Sequence, residues 1–142
     1  MKLSDPELAF LADHHSAAMI TVEPDGVAKV ARVGVALVDG NLWSSGTADR
    51  VRTKRLRRDP RCTLYVHDEA WAFLALETTV TILDGPDAPA LNLQLFRRMQ
   101  NRPTGPLSWF GGELEEPEFL ERMAAEQRLI YEFEPHHAYG LQ

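Results

Sequence analysis

The sequence predicts a mostly β, α+β fold: six antiparallel strands forming a closed or nearly closed barrel, with flanking helices. Two observations carry this. Short runs rich in Val, Ile, Thr and aromatic residues recur between turn signals. The signals Pro24-Asp25-Gly26 and Asp39-Gly40 join neighbours by tight turns, which implies antiparallel pairing and argues against a parallel, doubly wound sheet. At 142 residues the chain is expected to be one domain, spanning 1–142, with one real core.

Pro6 to His14 reads as a short helix, with Pro6 in its first turn and Leu8, Leu11 and Ala12 able to share a face. Ala18 to Val22 is the first strand. Val27 to Val38, rich in Val and Ala, is the second, and Asn41 to Ser45 the third. A short basic helix follows and stops at Asp59-Pro60. Arg61 to His67 is the fourth strand, and Asp68-Glu69 turns into the long fifth, Trp71 to Leu83. Leu74, Leu76, Thr78, Val80 and Ile82 share one face of that strand, with a bulge expected near Thr78-Thr79. Gly85-Pro86-Asp87 opens a helix over Ala88 to Gln100. Arg102 to Gly112 is a Pro/Gly loop containing Trp109 and Phe110, which could form a substrate-side lid. Glu116 to Ala125 is a further helix, Leu129 to Glu134 the sixth strand, and Pro135 to Gln142 a tail.

Charge singles out one segment. The chain carries a net charge of -6, yet seven of its fifteen Lys and Arg residues fall between Arg50 and Arg61. The cluster begins where a strand gives way to a helix. Helix starts already carry partial positive charge, so Arg50 and Arg52 there repel the dipole and each other. A bound anion reverses that cost. The segment Ser44 to Arg52 is therefore a phosphate-site candidate. At helical spacing Arg50, Lys54 and Arg57 share a face, while Arg57 and Arg58 are expected at the surface or against the Glu-rich C-terminal helix.

Other classes are disfavoured. The acidic balance and the absence of interleaved aromatics in the basic run argue against nucleic acid. No apolar stretch approaches the roughly 20 residues of a membrane span. The first residues carry acids and a proline where a secretory signal would be apolar, so a cytoplasmic protein is expected. Cys62 is the only cysteine and suits a reducing compartment. The pairs His14-His15 and His136-His137 lack metal-ligand spacing, and no metal is expected.

The run Ser44-Ser45-Gly46-Thr47, then Asp49 to Arg61, resembles the phosphate segment of the flavin/deazaflavin split-barrel superfamily of pyridoxamine 5'-phosphate oxidase. Its Arg-Arg-Asp-Pro-Arg ending, and Pro135 to Gly140, look most like the actinobacterial reductases that use the deazaflavin coenzyme F-420. The resemblance covers roughly residues 16 to 140. It implies a six-stranded split barrel of the FMN-binding type, acting as a homodimer with cofactor sites at the interface. It also implies cofactor contacts from Ser45, Gly46, Thr47, Arg50, Arg52 and Lys54, with the ring against Arg32, Val33, Gly34 and Val35. Arg55 would add charge for the coenzyme's acidic tail. The implied activity is a reductase passing a hydride from the reduced deazaflavin to an activated C=C of a small molecule, such as an unsaturated ester or lactone. No catalytic residue is assigned; solvent would deliver the proton. The alternatives are an FMN-dependent oxidase or flavin reductase, and a non-catalytic cofactor-binding protein.

Overall fold

The computed structural model describes residues 1–141 and contains, in order, α1 (Asp5–Asp13), β1 (Ser16–Val22), β2 (Ala28–Gly34), β3 (Ala36–Val38), β4 (Asn41–Thr47), α2 (Val51–Arg58), β5 (Arg61–His67), β6 (Phe73–Leu83), α3 (Ala88–Gln100), β7 (Leu107–Trp109), β8 (Gly112–Leu114), α4 (Glu116–Ala125) and β9 (Arg128–Tyr139). Seven strands form one antiparallel sheet in the order β2-β1-β5-β6-β9-β4-β3. Its two edge strands are consecutive pieces of one chain segment, so the sheet curls until its edges approach. This is the expected split barrel with seven strands rather than six. The run expected as one strand from Val27 to Val38 breaks at Val35: its N–H still donates to His15 O at 2.8 Å, in register with the β1–β2 pairing, and β3 begins at Ala36. The chain then leaves β1 and joins β4.

Hydrophobic alternation sets the layers. Ala17, Met19, Leu64, Val66, Leu74, Leu76, Val80, Leu129, Tyr131 and Phe133 point inward and form the barrel core, closed by Phe10, Leu11 and Leu56 from α1 and α2. Outside, α3 covers Ala36, Val38, Trp43 and Ile130 with Leu95. A third cluster, Leu107, Trp109, Phe119 and Met123, ties the β7–β8 hairpin to α3 and α4. Ser4 caps α1 in a reciprocal capping box with Glu7, which starts that helix one residue before Pro6. Among the described residues, no helix is long and apolar enough to cross a membrane.

The bulge lies where it was expected, between Glu77 and Thr78, but the extra residue is on the partner strand. Glu77 pairs with His137 and Thr78 with Pro135, which leaves His136 over. Proline has no N–H for a ladder, so a central strand tolerates it only at such a break. The expected tail is therefore part of β9 as far as Tyr139; its last residue, Gln142, lies outside the described residues. The expected loop from Arg102 to Gly112 also has structure of its own, β7 and the start of β8. Trp109 is buried there by Phe96 and Phe119 and cannot serve as a lid, whereas Phe110 is 87% exposed at the hairpin tip.

Candidate anion site at the start of helix α2

Strand β4 sorts its residues between two surroundings. Leu42, Ser44 and Gly46 face the barrel interior, and Trp43, Ser45 and Thr47 face outward. The Ser44 hydroxyl donates to Gly34 O at 2.6 Å, tying β4 to the corner between β2 and β3. The Ser45 hydroxyl donates to the buried Asn92 carbonyl oxygen on α3 at 2.5 Å, which commits it to packing. The Thr47 hydroxyl donates to Asp49 at 2.7 Å, and this bond holds the Asp49 carboxyl below its usual range. Gly46 lies beneath the ring of Tyr131: a Cβ there would sit inside the phenol, so only glycine fits.

Helix α2 starts immediately beyond. Arg50 is its N-cap residue in an extended conformation and makes no side-chain capping bond. The Thr53 and Lys54 amides donate to Arg50 O, whereas among the described residues those of Val51 and Arg52 donate to no backbone carbonyl. Thr53 points inward, fully buried, and donates its hydroxyl to Thr47 O at 2.7 Å. Thr53 is also hydrogen-bonded to the Tyr131 hydroxyl. Thr53 has a single hydroxyl hydrogen, spent on the carbonyl, so Tyr131 donates in that second bond.

The seven cations of the cluster divide sharply. Arg55 is paired with Glu23 at 2.6 Å and Arg58 with the same carboxylate at 3.2 Å. Arg57 is paired with Asp84 at 2.9 Å and Arg61 with Asp59 at 2.8 Å. Arg57 and Arg58 lie at the surface, one of the two places expected for them; they do not pair with the C-terminal helix, and their partners lie just beyond the ends of β6 and β1. Arg55 is likewise committed to Glu23 and not free for a ligand. Arg50, Arg52 and Lys54 form no ion pair among the described residues. The guanidinium of Arg52 stands 6.0 Å from the centre of the Tyr131 ring. Its Nε is buried without a hydrogen-bond partner, which a native protein rarely tolerates unless a ligand completes the site. Burial pulls the Arg52 pKa down, Tyr131 partly offsets this, and Arg50 pulls it further down; the side chain stays charged.

An open groove of about 600 Å3 adjoins this turn, lined by Thr47, Asp49, Arg50 and Val51 on one side and by Ala125, Glu126, Gln127 and Arg128 on the other; Arg52 and Lys54 are not among its lining residues. Arg128, which the sequence reading missed, pairs across the strands with Thr47. It is held by Glu126 at 2.9 Å and by the face of Trp109, 5.2 Å away. Its signal in sequence was weak, a lone arginine at a strand start. The cavity at the other end of β4, about 520 Å3, has Lys2, Glu132 and Glu134 as its charged lining and is a poor anion site. The first amides of α2, the Arg50 side chain without an ion pair among the described residues and the orphaned Nε of Arg52 thus belong to one helix start, a donor set of the kind a phosphate uses.

Arg32 to Val35 lie elsewhere, at the barrel corner. Arg32 is exposed on the outer face opposite Ala18, Val33 and Val35 are buried, and Gly34 is pressed against Met99. The His15 Nδ1 donates to Val35 O at 2.9 Å, fixing that corner. Cys62 is buried beside Thr78, and burial pushes its thiol pKa up to about 12, which removes it as a nucleophile at neutral pH.

The sequence profile described as pyridoxamine 5'-phosphate oxidase matches residues 4–141. The chain belongs to the pyridoxamine 5'-phosphate oxidase family. That family comprises oxidoreductases that bind flavins or deazaflavins. No curated protein sequence matches this chain. Solved structures share its fold at low identity. One titled an F-420 reductase superposes with a TM-score of 0.72 at 20% identity, covering 97% of this chain and 99% of the other. A conserved hypothetical protein from Mycobacterium tuberculosis gives 0.72 at 20% identity, covering 97% and 84%. A pyridoxamine 5'-phosphate oxidase-like protein from Listeria innocua gives 0.67 at 16% identity, covering 97% of each chain.

Proposed function

We propose that this family member is a cytoplasmic reductase that binds coenzyme F-420 with its phosphate on Arg50, Arg52 and the first amides of α2. The observation that carries the reading is the buried, partnerless Nε of Arg52 beside the unpaired Arg50. When bound, the reduced deazaflavin supplies a hydride for an activated C=C, such as that of an unsaturated ester or lactone. The chain's own part is positional. Arg50 and Arg52 hold the anion, Lys54 adds charge for the coenzyme's acidic tail, and the Thr47 hydroxyl is fixed beside them by Asp49. The corner from Arg32 to Val35 offers a rigid wall for the ring, with solvent delivering the proton.

The reading includes a homodimer. On the outer face of β2, β1, β5, β6 and β9, Val22, Val30, Tyr65 and Tyr139 are exposed beside the polar Arg32, Glu77 and His137, and Tyr65 stacks on Phe73 at 5.0 Å. A second copy of the chain would cover this face and close the ring pocket near Arg32.

One observation favours a second reading. The engagement of Arg55 by Glu23 removes one of the two cations expected to serve an oligoglutamate tail. FMN, which asks only for a phosphate site, suits what remains, and the protein would then be an FMN-dependent oxidase or flavin reductase. Titration with both coenzymes, followed by tryptophan fluorescence, separates the readings. Micromolar or tighter binding of coenzyme F-420 with weak FMN binding supports the first. Preference for FMN overturns it in favour of the second, and binding of neither overturns both.

A further inference from the structure

Among the described residues Arg52 forms no ion pair, so its neighbours are what can position it. Tyr131 is fully buried, and Gly46 leaves room for its ring. Thr53 ties the tyrosine hydroxyl to the carbonyl of Thr47, the last residue of β4. With its hydrogen spent on Thr53, the phenolic oxygen keeps lone pairs for a neighbouring cation. The Arg52 guanidinium stands 6.0 Å from the centre of the Tyr131 ring, the one aromatic ring it faces among the described residues. We infer that Tyr131 and Thr53 are positioning residues for the anion site: they clamp Arg52 in its binding geometry before a ligand arrives. The inference rests on the anion-site reading above and adds how its most buried cation is pre-organised. A flexible arginine would lose side-chain freedom on binding, and a clamped one has lost it already.

The test is a double-mutant cycle on coenzyme affinity, using coenzyme F-420 and FMN as probes, with thermal melts as the folding control. Tyr131→Phe keeps the ring and removes the oxygen. Loss of the Thr53–Tyr131 bond frees the ring that stands beside Arg52, and Kd is expected to rise about fivefold, the order of one hydrogen bond. In an Arg52→Ala background the same change should leave Kd where Arg52→Ala alone puts it, because the tyrosine acts only through the arginine. Thr53→Val should reproduce Tyr131→Phe, and Thr53→Ser, which keeps the hydroxyl, should restore the wild-type Kd. Equal effects of Tyr131→Phe with and without Arg52 overturn the inference, as does wild-type affinity in Tyr131→Phe. Unchanged affinity in Arg50→Ala/Arg52→Ala is a different failure: it removes the anion site itself, and the clamp with it.

Discussion

The two ends of helix α2 carry similar charge and meet opposite fates. The last turn holds Arg55, Arg57 and Arg58, and all three have carboxylate partners. The first turn holds Arg52 and Lys54, with Arg50 at the cap, and among the described residues none of these has one. Electrostatics alone would favour the reverse allocation. Cations at a helix C-terminus are already stabilised by the dipole, whereas cations at the N-terminus oppose it. Partners are thus supplied where they are least needed, and the costly end is left open. A charge cluster cannot be interpreted by counting; what matters is which of its members the fold has already neutralised.

The largest effect expected from breaking this contrast is on ligand binding. Arg50→Ala/Arg52→Ala should raise the coenzyme Kd at least about a hundredfold, since each charge-assisted contact contributes about 1.5–3 kcal/mol. The melting temperature should hold or rise, because two mutually repelling cations leave a helix start. A clear loss of Tm would mean that the first turn is structural, like the last. Next is Gly46→Ala, which drives a methyl into the Tyr131 ring under the first turn. Overpacking of this kind costs ~1–3 kcal/mol, measurable by urea unfolding, and should weaken coenzyme binding in parallel.

A smaller and opposite signature is expected from Glu23→Gln. It removes the shared partner of Arg55 and Arg58. It should lower Tm modestly and leave the coenzyme Kd unchanged; a tighter Kd for coenzyme F-420 alone would show that a released Arg55 can serve the acidic tail. The hydrogen bond from Arg55 holds the Glu23 pKa below 4.5. The contribution of this carboxylate is therefore present above its ordinary pKa and is lost as pH falls below it. The smallest effect concerns Asp59, just past the helix, whose pKa the Arg61 side chain lowers to about 2. Its contribution is full above 3.8 and disappears as pH falls through about 2. Carboxyl titration by NMR should find that midpoint near 2, moving up toward 3.8 in Arg61→Ala. A wild-type midpoint near 3.8 would remove the pairing at this end of the comparison.

Legibility followed the range of the forces involved. The strands over Arg61–His67 and Phe73–Leu83 and the helix over Ala88–Gln100 were readable because periodicity and turn residues are local signals. The break at Val35 was not, because it depends on the following residues leaving β1 to pair with β4, a strand that comes later in the chain. The extension of β9 through Pro135 was not either: a proline stops a strand on local evidence, and only the bulge opposite Thr78 accommodates it.

The same division runs through the site. The sequence by itself determined that cations crowd the start of a helix after Ser44-Ser45-Gly46-Thr47, since composition and helix polarity are properties of the chain. It also placed Arg50, Arg52 and Lys54 in one segment. Only the tertiary structure decided which cations are spent. Glu23 and Asp84 lie far away in sequence and reach α2 through the barrel's closure, and so does Tyr131, which meets Gly46, Arg52 and Thr53 across the β4–β9 pairing. Coulomb attraction and hydrogen bonding act between neighbours in space, and for these residues neighbourhood exists only once the sheet has curled.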